Sequence, residues 1–343
     1  MSSQVGSIAD EYRRFAELQA RGHSPMYEAL SLGVAGDPFL LGLLAKLPPG
    51  KRQPNLLLAA VRLLGGPVGA YQSFREWTRV HWEQVRAVIL ARSTQTNEAA
   101  RCATLLPLLA ALPQPLALIE VGASAGLCLY PDRYRYRYDD TEPFGHADSP
   151  ITLPCCTSGP VPVPEDLPTV VQRVGIDLNP LSATDPEDVC WLESLVWPEQ
   201  QERLDRLRGA LSVAYAQPAH MVRGDLNAAV RQVVSDVPAG ATPVVFHSAV
   251  LAYLSPAARA EFTDTMRSMP GHWISNEAAN VLPTVRARLP RPAPTDRATF
   301  VLALDEHPVA LTDPHGEHLD WFADEDHSAP TVEADGPSRP AAA

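Results

Sequence analysis

The sequence predicts an α/β protein with a mostly parallel sheet, helices on both faces, a closing antiparallel hairpin and a helical subdomain in front. Residues 113–322 alternate short apolar runs with helical stretches, the pattern that builds a parallel sheet between helices. Residues 1–112 show helical periodicity and no strand-like alternation. The 343 residues, 45 % apolar and 20 % charged, are enough for a sizeable core in one large or two ordinary domains.

In the first region, residues 10–20 place Tyr12, Phe15, Ala16 and Leu18 near helical spacing. Ser24-Pro25 and Asp37-Pro38 each join an N-cap to a first-turn proline, opening helices over 26–33 and 39–47, and Pro48-Pro49-Gly50 stops the second. A helix over 55–64 ends at Gly65-Gly66. Residues 70–91 read as one longer helix with Phe74, Trp77, Val80, Val85 and Val88 on a broad side. Asn97 reads as the cap of a helix over 98–111.

The pattern changes at Pro113. Residues 116–121 (LALIEV) form a strand that enters Gly122-Ala123-Ser124-Ala125-Gly126 and then a helix from Leu127. Residues 130–138 alternate Arg133, Arg135 and Arg137 with Tyr134, Tyr136 and Tyr138 at strand period. Tyrosines packed inward behind a solvated arginine face is the plain reading, and an arginine face toward an anionic substrate the sharper one. Residues 139–168 are rich in Pro, Gly and Thr, so 130–168 reads as an inserted irregular segment. A strand over 170–176 ends in Asp177, and a helical stretch over 191–216 is expected to cover the sheet with Trp191, Leu192, Leu195, Val196 and Trp197. Further strands at 220–223, 243–247 and 273–276 alternate with helices at 227–235 and 256–269, and 299–304, 309–311 and 319–322 close the sheet. The organisation is then a helical cap over 1–112, a Rossmann-like α/β domain over 113–322 and an acidic, Pro/Ala-rich tail over 323–343, expected to be disordered.

A net charge of −12 argues against a surface built to neutralise phosphate backbones, so nucleic acid is not the expected partner. No run of about 18 apolar residues is present to cross a membrane. The charged start, MSSQVGSIADEYRRF, does not read as a signal peptide. Five cysteines without C-x-x-C spacing fit free thiols in a reducing cytoplasm, the expected location. Ligands of such sheets bind beyond the carboxyl ends of the strands near the switch in strand order, which nominates Glu120 to Gly126, Asp177, Asp225 and the segment from His247. Gly122 and Gly126 allow a tight turn and close approach, Asp177 is placed to accept ribose hydroxyls, and Asp225 to accept from an adenine amino group.

Here the residues resemble a known family. Ile119-Glu120-Val121-Gly122-Ala123-Ser124-Ala125-Gly126 resembles the first motif of class I S-adenosylmethionine-dependent methyltransferases. Gly175-Ile176-Asp177-Leu178-Asn179-Pro180-Leu181 resembles their second and Arg223-Gly224-Asp225-Leu226 their third. Residues 244–254 are similar to the segment after their fourth strand. The chain as a whole, with its Tyr-Arg run and Ser275-Asn276-Glu277, resembles the bacterial family domain of unknown function 2332. The resemblance implies S-adenosylmethionine as cofactor, held by Glu120, Gly122, Ser124, Gly126, Asp177, Asn179, Asp225 and Leu226, and methyl transfer to a small-molecule acceptor. Catalysis would rest on positioning, with His247 as candidate base and Tyr253 and Glu277 behind it. The helical cap would close the pocket where Gly122, Asp177, Asp225 and His247 converge. Ser124 stands where the family's turn has a central glycine, the span from Glu120 to Asp177 is long, and no Asn/Asp-Pro-Pro-aromatic motif follows the fourth strand.

Other readings remain open. A degenerate methyltransferase-like domain would serve as a non-enzymatic binding module. Gly122-Ala123-Ser124-Ala125-Gly126 also fits the G-x-S-x-G elbow of a serine hydrolase, with Asp264 and His272 or His307 downstream. A nicotinamide site lacks the G-x-G-x-x-G spacing. His315, Glu317, His318 and Asp320 read as a polar loop, so no metal is expected. Oligomeric state, acceptor and methylated atom stay open.

Overall fold

The computed structural model describes residues 2–294 and 297–322; the expected tail, 323–343, lies outside the described residues. In chain order the elements begin with α1 (Ser2–Phe15), α2 (Pro25–Ala35), α3 (Pro38–Leu44), α4 (Pro54–Leu63), α5 (Tyr71–Val80), α6 (Trp82–Ala91) and α7 (Arg101–Ala111). Next come β1 (Leu116–Val121), β2 (Arg135–Tyr138), β3 (Phe144–Gly145), β4 (Thr152–Ser158), β5 (Val170–Asp177), α8 (Pro186–Leu195), α9 (Gln201–Ala216), β6 (His220–Arg223) and α10 (Leu226–Ser235). The chain ends with β7 (Thr242–Ser248), α11 (Pro256–Ser268), β8 (His272–Ala278), α12 (Pro283–Ala287), β9 (Phe300–Leu304), β10 (His307–Thr312) and β11 (His318–Trp321). Two compact units result. One takes the described residues up to Ala99, Ser124–Leu127 and Asn179–Ala219, the other Ala100–Ala123, Cys128–Leu178 and the described residues from His220 on.

In the helical unit both expected caps form. Ser24 Oγ accepts from Tyr27 N at 3.1 Å, and Asp37 Oδ1 from Phe39 N at 2.8 Å. The single helix expected over 70–91 is two, because His81 leaves helical geometry where its ring stacks on Trp77 at 4.1 Å. The tryptophans expected to cover the sheet belong to this unit instead. Trp191 is fully buried and donates to Ser93 O at 3.1 Å, while Trp197 packs on Phe15 and Tyr27 and donates to Asn55. The reason is that α8 and α9 lie in this unit, α8 packing on α4. Glu98, buried, is held by Arg206 at 2.7 Å and Arg203 at 3.1 Å.

The second unit is built on an 11-stranded sheet in the order β3-β2-β4-β11-β10-β9-β8-β7-β1-β5-β6, mostly parallel, with antiparallel β8-β9, β9-β10 and β10-β11 pairings toward the chain's end. The parallel run β6-β5-β1-β7-β8 is doubly wound, and its order switches between β1 and β7. One face carries Ile119, Val121, Ile176, Val245 and Trp273 against Val230 and Val234 of α10, Phe262 and Met266 of α11 and Val285 of α12.

Two segments depart from expectation. Residues 130–168 are not irregular throughout: β2, β3 and β4 extend the sheet beside β11. Tyr134, Tyr136 and Tyr138 are buried, with the hydroxyls of Tyr136 and Tyr138 on Pro131 O and Ala103 O, while Arg137 is exposed and Arg133 pairs with Asp132. The helix expected from Leu127 is a single 3₁₀ turn, Leu127–Leu129, because Pro131 disfavours helical geometry at Tyr130 and brings no N–H of its own.

Trp191→Ala is expected to cost about 3–5 kcal/mol, the usual range for a large aromatic removed from a core. Urea unfolding checks it; a change below about 1 kcal/mol would contradict this packing role.

Candidate functional site

Side chains alternate between the faces of a strand, so the parallel register sorts the residues at the carboxyl ends of β1, β7 and β8. Glu120 is aligned with Phe246, Phe246 with Ile274, and Ser248 with Asn276, which puts Glu120, Ser248 and Asn276 on one face. His247, Ser275 and Glu277 take the other, where Phe262 and Trp273 pack.

On the first face Glu120 is 8 % exposed, and its Oε2 has no hydrogen-bond partner. Burial pushes its carboxyl well above the usual range; Cys128 and Asp177 add to the effect and Arg101 opposes it. Asp177 ends β5 in register with Arg223 of β6, and Gly224 N donates to Asp177 O at 2.9 Å. Asp225 follows at the end of β6 and caps α10, its Oδ1 accepting from Asn227 N at 2.9 Å and Ala228 N at 3.3 Å. Glu120, Asp177 and Asp225 thus stand at the ends of three neighbouring strands. Leu226, nominated as a ligand contact, is the first residue of α10 and packs into the core.

Gly122 opens the turn after β1 with φ +70°, and a Cβ there would meet Val250 Cγ2 at 2.2 Å. The turn continues with left-handed Ser124 (φ 53°) and Gly126 (φ 68°). Within the helical unit, Asn97 donates to Ser124 Oγ at 2.8 Å and accepts from Ala125 N at 2.9 Å. Leu181 N donates to Ser124 O at 2.9 Å, and Gln95 to the carbonyl of Asn179, itself exposed. Asn97 therefore caps no helix; it holds the turn open in its left-handed form. The sequence signal was an Asn just before a helical run, and the partner it binds is far along the chain.

The proposed base is differently placed. His247 is fully buried, with Nδ1 2.8 Å from Glu277 Oε1, and Trp273 Nε1–H donates to its Nε2 at 2.9 Å. An indole can only donate, so Nε2 accepts and Nδ1 carries the proton. Both nitrogens are used, and His247 has none left to take a proton from a ligand. Burial acts to raise the Glu277 carboxyl, but hydrogen bonds from His247, Leu251 N and Val250 N outweigh it and hold it below its ordinary value. His247 and Glu277 thus fasten the segment after β7. Tyr253, 88 % exposed, ends the 3₁₀ turn Leu251–Tyr253 and lies on the surface.

The hydrolase arrangement does not form. His272 starts β8 and pairs with Asp305, and His307 Nδ1 lies on Asp305 O, at the amino end of the parallel strands, whereas Ser124 follows the carboxyl end of β1. Asp264 pairs with Arg267. Among the described residues no group of three or more His, Cys, Asp or Glu is placed to hold a metal ion. The segment from His315 to His318 is a turn organised by Asp313, which accepts from three backbone N–H groups.

Residues 9–321 match the family described as "Uncharacterized protein conserved in bacteria (DUF2332)". The chain belongs to this family. No curated protein and no solved structure matches it. No described helix is long and apolar enough to cross a membrane. In this DUF2332 chain, sequence reasoning passed over Arg101, a lone charge opening the apolar run RCATLLPLLA, and gave no role to Asn276, noted only within Ser275-Asn276-Glu277 and fully buried on the Glu120 face.

Because the folded Glu120 carboxyl binds its proton more tightly than the unfolded one, its contribution to stability is whole below the ordinary value of 4.5 and is lost as pH rises. Glu120→Gln mimics the neutral acid. It is expected to gain stability over wild type by about 1.4 kcal/mol per pH unit above that value while the folded carboxyl stays protonated. Urea unfolding at pH 5, 6.5 and 8 checks the slope; a flat or opposite trend refutes the neutral state.

Proposed function

We propose that this chain binds S-adenosylmethionine at the carboxyl end of its parallel sheet and transfers the methyl group to a small-molecule acceptor in the cytoplasm. The observation that carries this reading is the alignment of Glu120, Asp177 and Asp225 at the ends of β1, β5 and β6, beside the left-handed turn at Gly122 and the switch in strand order. Asp177 suits the ribose hydroxyls and Asp225 an adenine amino group. When bound, the cofactor supplies an electrophilic methyl group that needs no further activation.

The protein's part is positioning. Well-oriented juxtaposition contributes roughly 7–11 kcal/mol toward such a transfer. With His247 locked between Glu277 and Trp273, the acceptor must bring its own lone pair instead of losing a proton to that ring. The same lock favours a second reading, an adenosyl-binding module without turnover; binding accompanied by no methyl transfer would select it. The net charge of −12 supports a small molecule over a nucleic acid.

Asp177→Ala is expected to weaken S-adenosylmethionine binding about tenfold or more, since hydrogen bonds to an ionised group contribute about 1.5–3 kcal/mol. Isothermal calorimetry on the full chain measures it, alongside mass spectrometry of any adenosyl compound that copurifies. Equal affinity in wild type and variant would remove Asp177 from the site, and no binding by wild type would remove the reading.

A further inference from the structure

The face that carries Glu120 also holds a buried cation without a counter-charge and a buried amide without an acceptor. Arg101, at the start of α7 and 7 % exposed, donates from Nε to Pro314 O at 2.8 Å and from Nη1 to Ser248 O at 3.3 Å. Both partners are carbonyls, and among the described residues its guanidinium pairs with no carboxylate. The acid that feels its charge is Glu120, whose burial favours the neutral carboxyl. Asn276, fully buried in β8, spends Oδ1 on Thr312 Oγ1 at 2.8 Å, and its Nδ2 has no partner. Ser248 joins the two groups: it is aligned with Asn276 across β7 and β8, and its carbonyl holds Arg101.

We propose that Arg101 and the Asn276 carboxamide form a binding site for the carboxylate of a small-molecule ligand. Carbonyl oxygens satisfy a guanidinium's hydrogens but not its charge, and a buried charge without a partner is costly. A carboxylate supplies one negative charge and planar lone pairs that match the guanidinium fork, and it accepts from a neighbouring amide N–H. A doubly charged phosphate would exceed the single positive charge present and leave the surplus buried. The carboxylate belongs either to the acceptor or to the amino-acid end of the cofactor in the reading above. The site itself does not depend on that reading.

Sodium formate is the probe. The full chain is titrated with formate, and with sodium chloride at equal ionic strength, while Tm is followed. Formate is expected to raise Tm beyond chloride, and Arg101→Gln and the near-isosteric Asn276→Asp are each expected to weaken the apparent formate affinity about tenfold or more. Asn276→Asp decides alone where Arg101→Gln does not fold. A formate shift no larger than chloride's, or one kept in full by the variants, overturns the site. Calorimetry with S-adenosylmethionine and with 5′-methylthioadenosine, which lacks the carboxylate, then assigns the source. Formate that weakens only the former marks the cofactor's carboxylate, and formate that weakens neither marks the acceptor's. Failure of wild type to bind either nucleoside sinks the methyl-transfer reading and leaves the formate result standing.

Discussion

One buried carboxylate organises the carboxyl end of the sheet. Glu277 Oε1 gathers the Nδ1–H of His247 and the backbone N–H groups of Val250 and Leu251, all within 2.9 Å. Those bonds seat Val250, and its side chain occupies the space that a Cβ at residue 122 would need. The glycine at the head of the first turn is therefore demanded twice, by its φ of +70° and by the loop across the switch point. Trp273 completes the hub by donating to the other nitrogen of His247. Removing one member of a buried charged network typically costs about 3–5 kcal/mol, because the remaining groups are left without partners.

The opposite face follows another logic. There the protein leaves Glu120 Oε2 and Asn276 Nδ2 without partners and Arg101 without a carboxylate. Polar groups of this kind lower stability, and a chain selected for stability alone would pair them or replace them with apolar residues. The two faces of the same strand ends are separated by one residue of alternation, and they differ in how charge is met: Glu277 leaves its Oε2 unpaired but gathers three donors on Oε1, whereas Arg101 on the other face is met by carbonyls alone. A buried cation without a carboxylate at a switch point is where local rules are expected to yield to ligand binding.

Much of this architecture was legible because local rules and tertiary structure agree. Ser24 and Asp37 cap helices where the Ser-Pro and Asp-Pro pairs place them, and the strands ending at Val121, Asp177, Arg223 and Ser248 close to where the apolar runs stop. What was not legible depends on register and on distant partners. His247 looked like a base because it ends a strand near a ligand edge, but the residue's parity turns it toward Phe262 and Trp273. Asn97 carried the signature of a cap and is used 27 residues away by Ser124. The Pro-rich stretch before β5 hid β4, whose ladder needs β2 and β11 as neighbours; no local pattern supplies those. Trp191 and Trp197 were recognisable as buried residues, but not the helices they are buried against.

The charge pattern along the edge also limits what a ligand can be. From β6 to β8 the strands run β6-β5-β1-β7-β8, four spacings of about 4.8 Å, or about 19 Å in all. Acidic groups occupy the β6-β5-β1 side, and the uncompensated guanidinium and amide lie toward β7 and β8. A small inorganic anion would meet only the second half and would be repelled from the first. A ligand with hydroxyl or amino donors at one end and a carboxylate at the other meets both, and an extended molecule, or two bound side by side, is needed to span the distance. That division follows from the strand order alone: the doubly wound connection places Asp177 and Asp225 on one side of β1 and Ser248 and Asn276 on the other, so the edge is polarised before any ligand arrives.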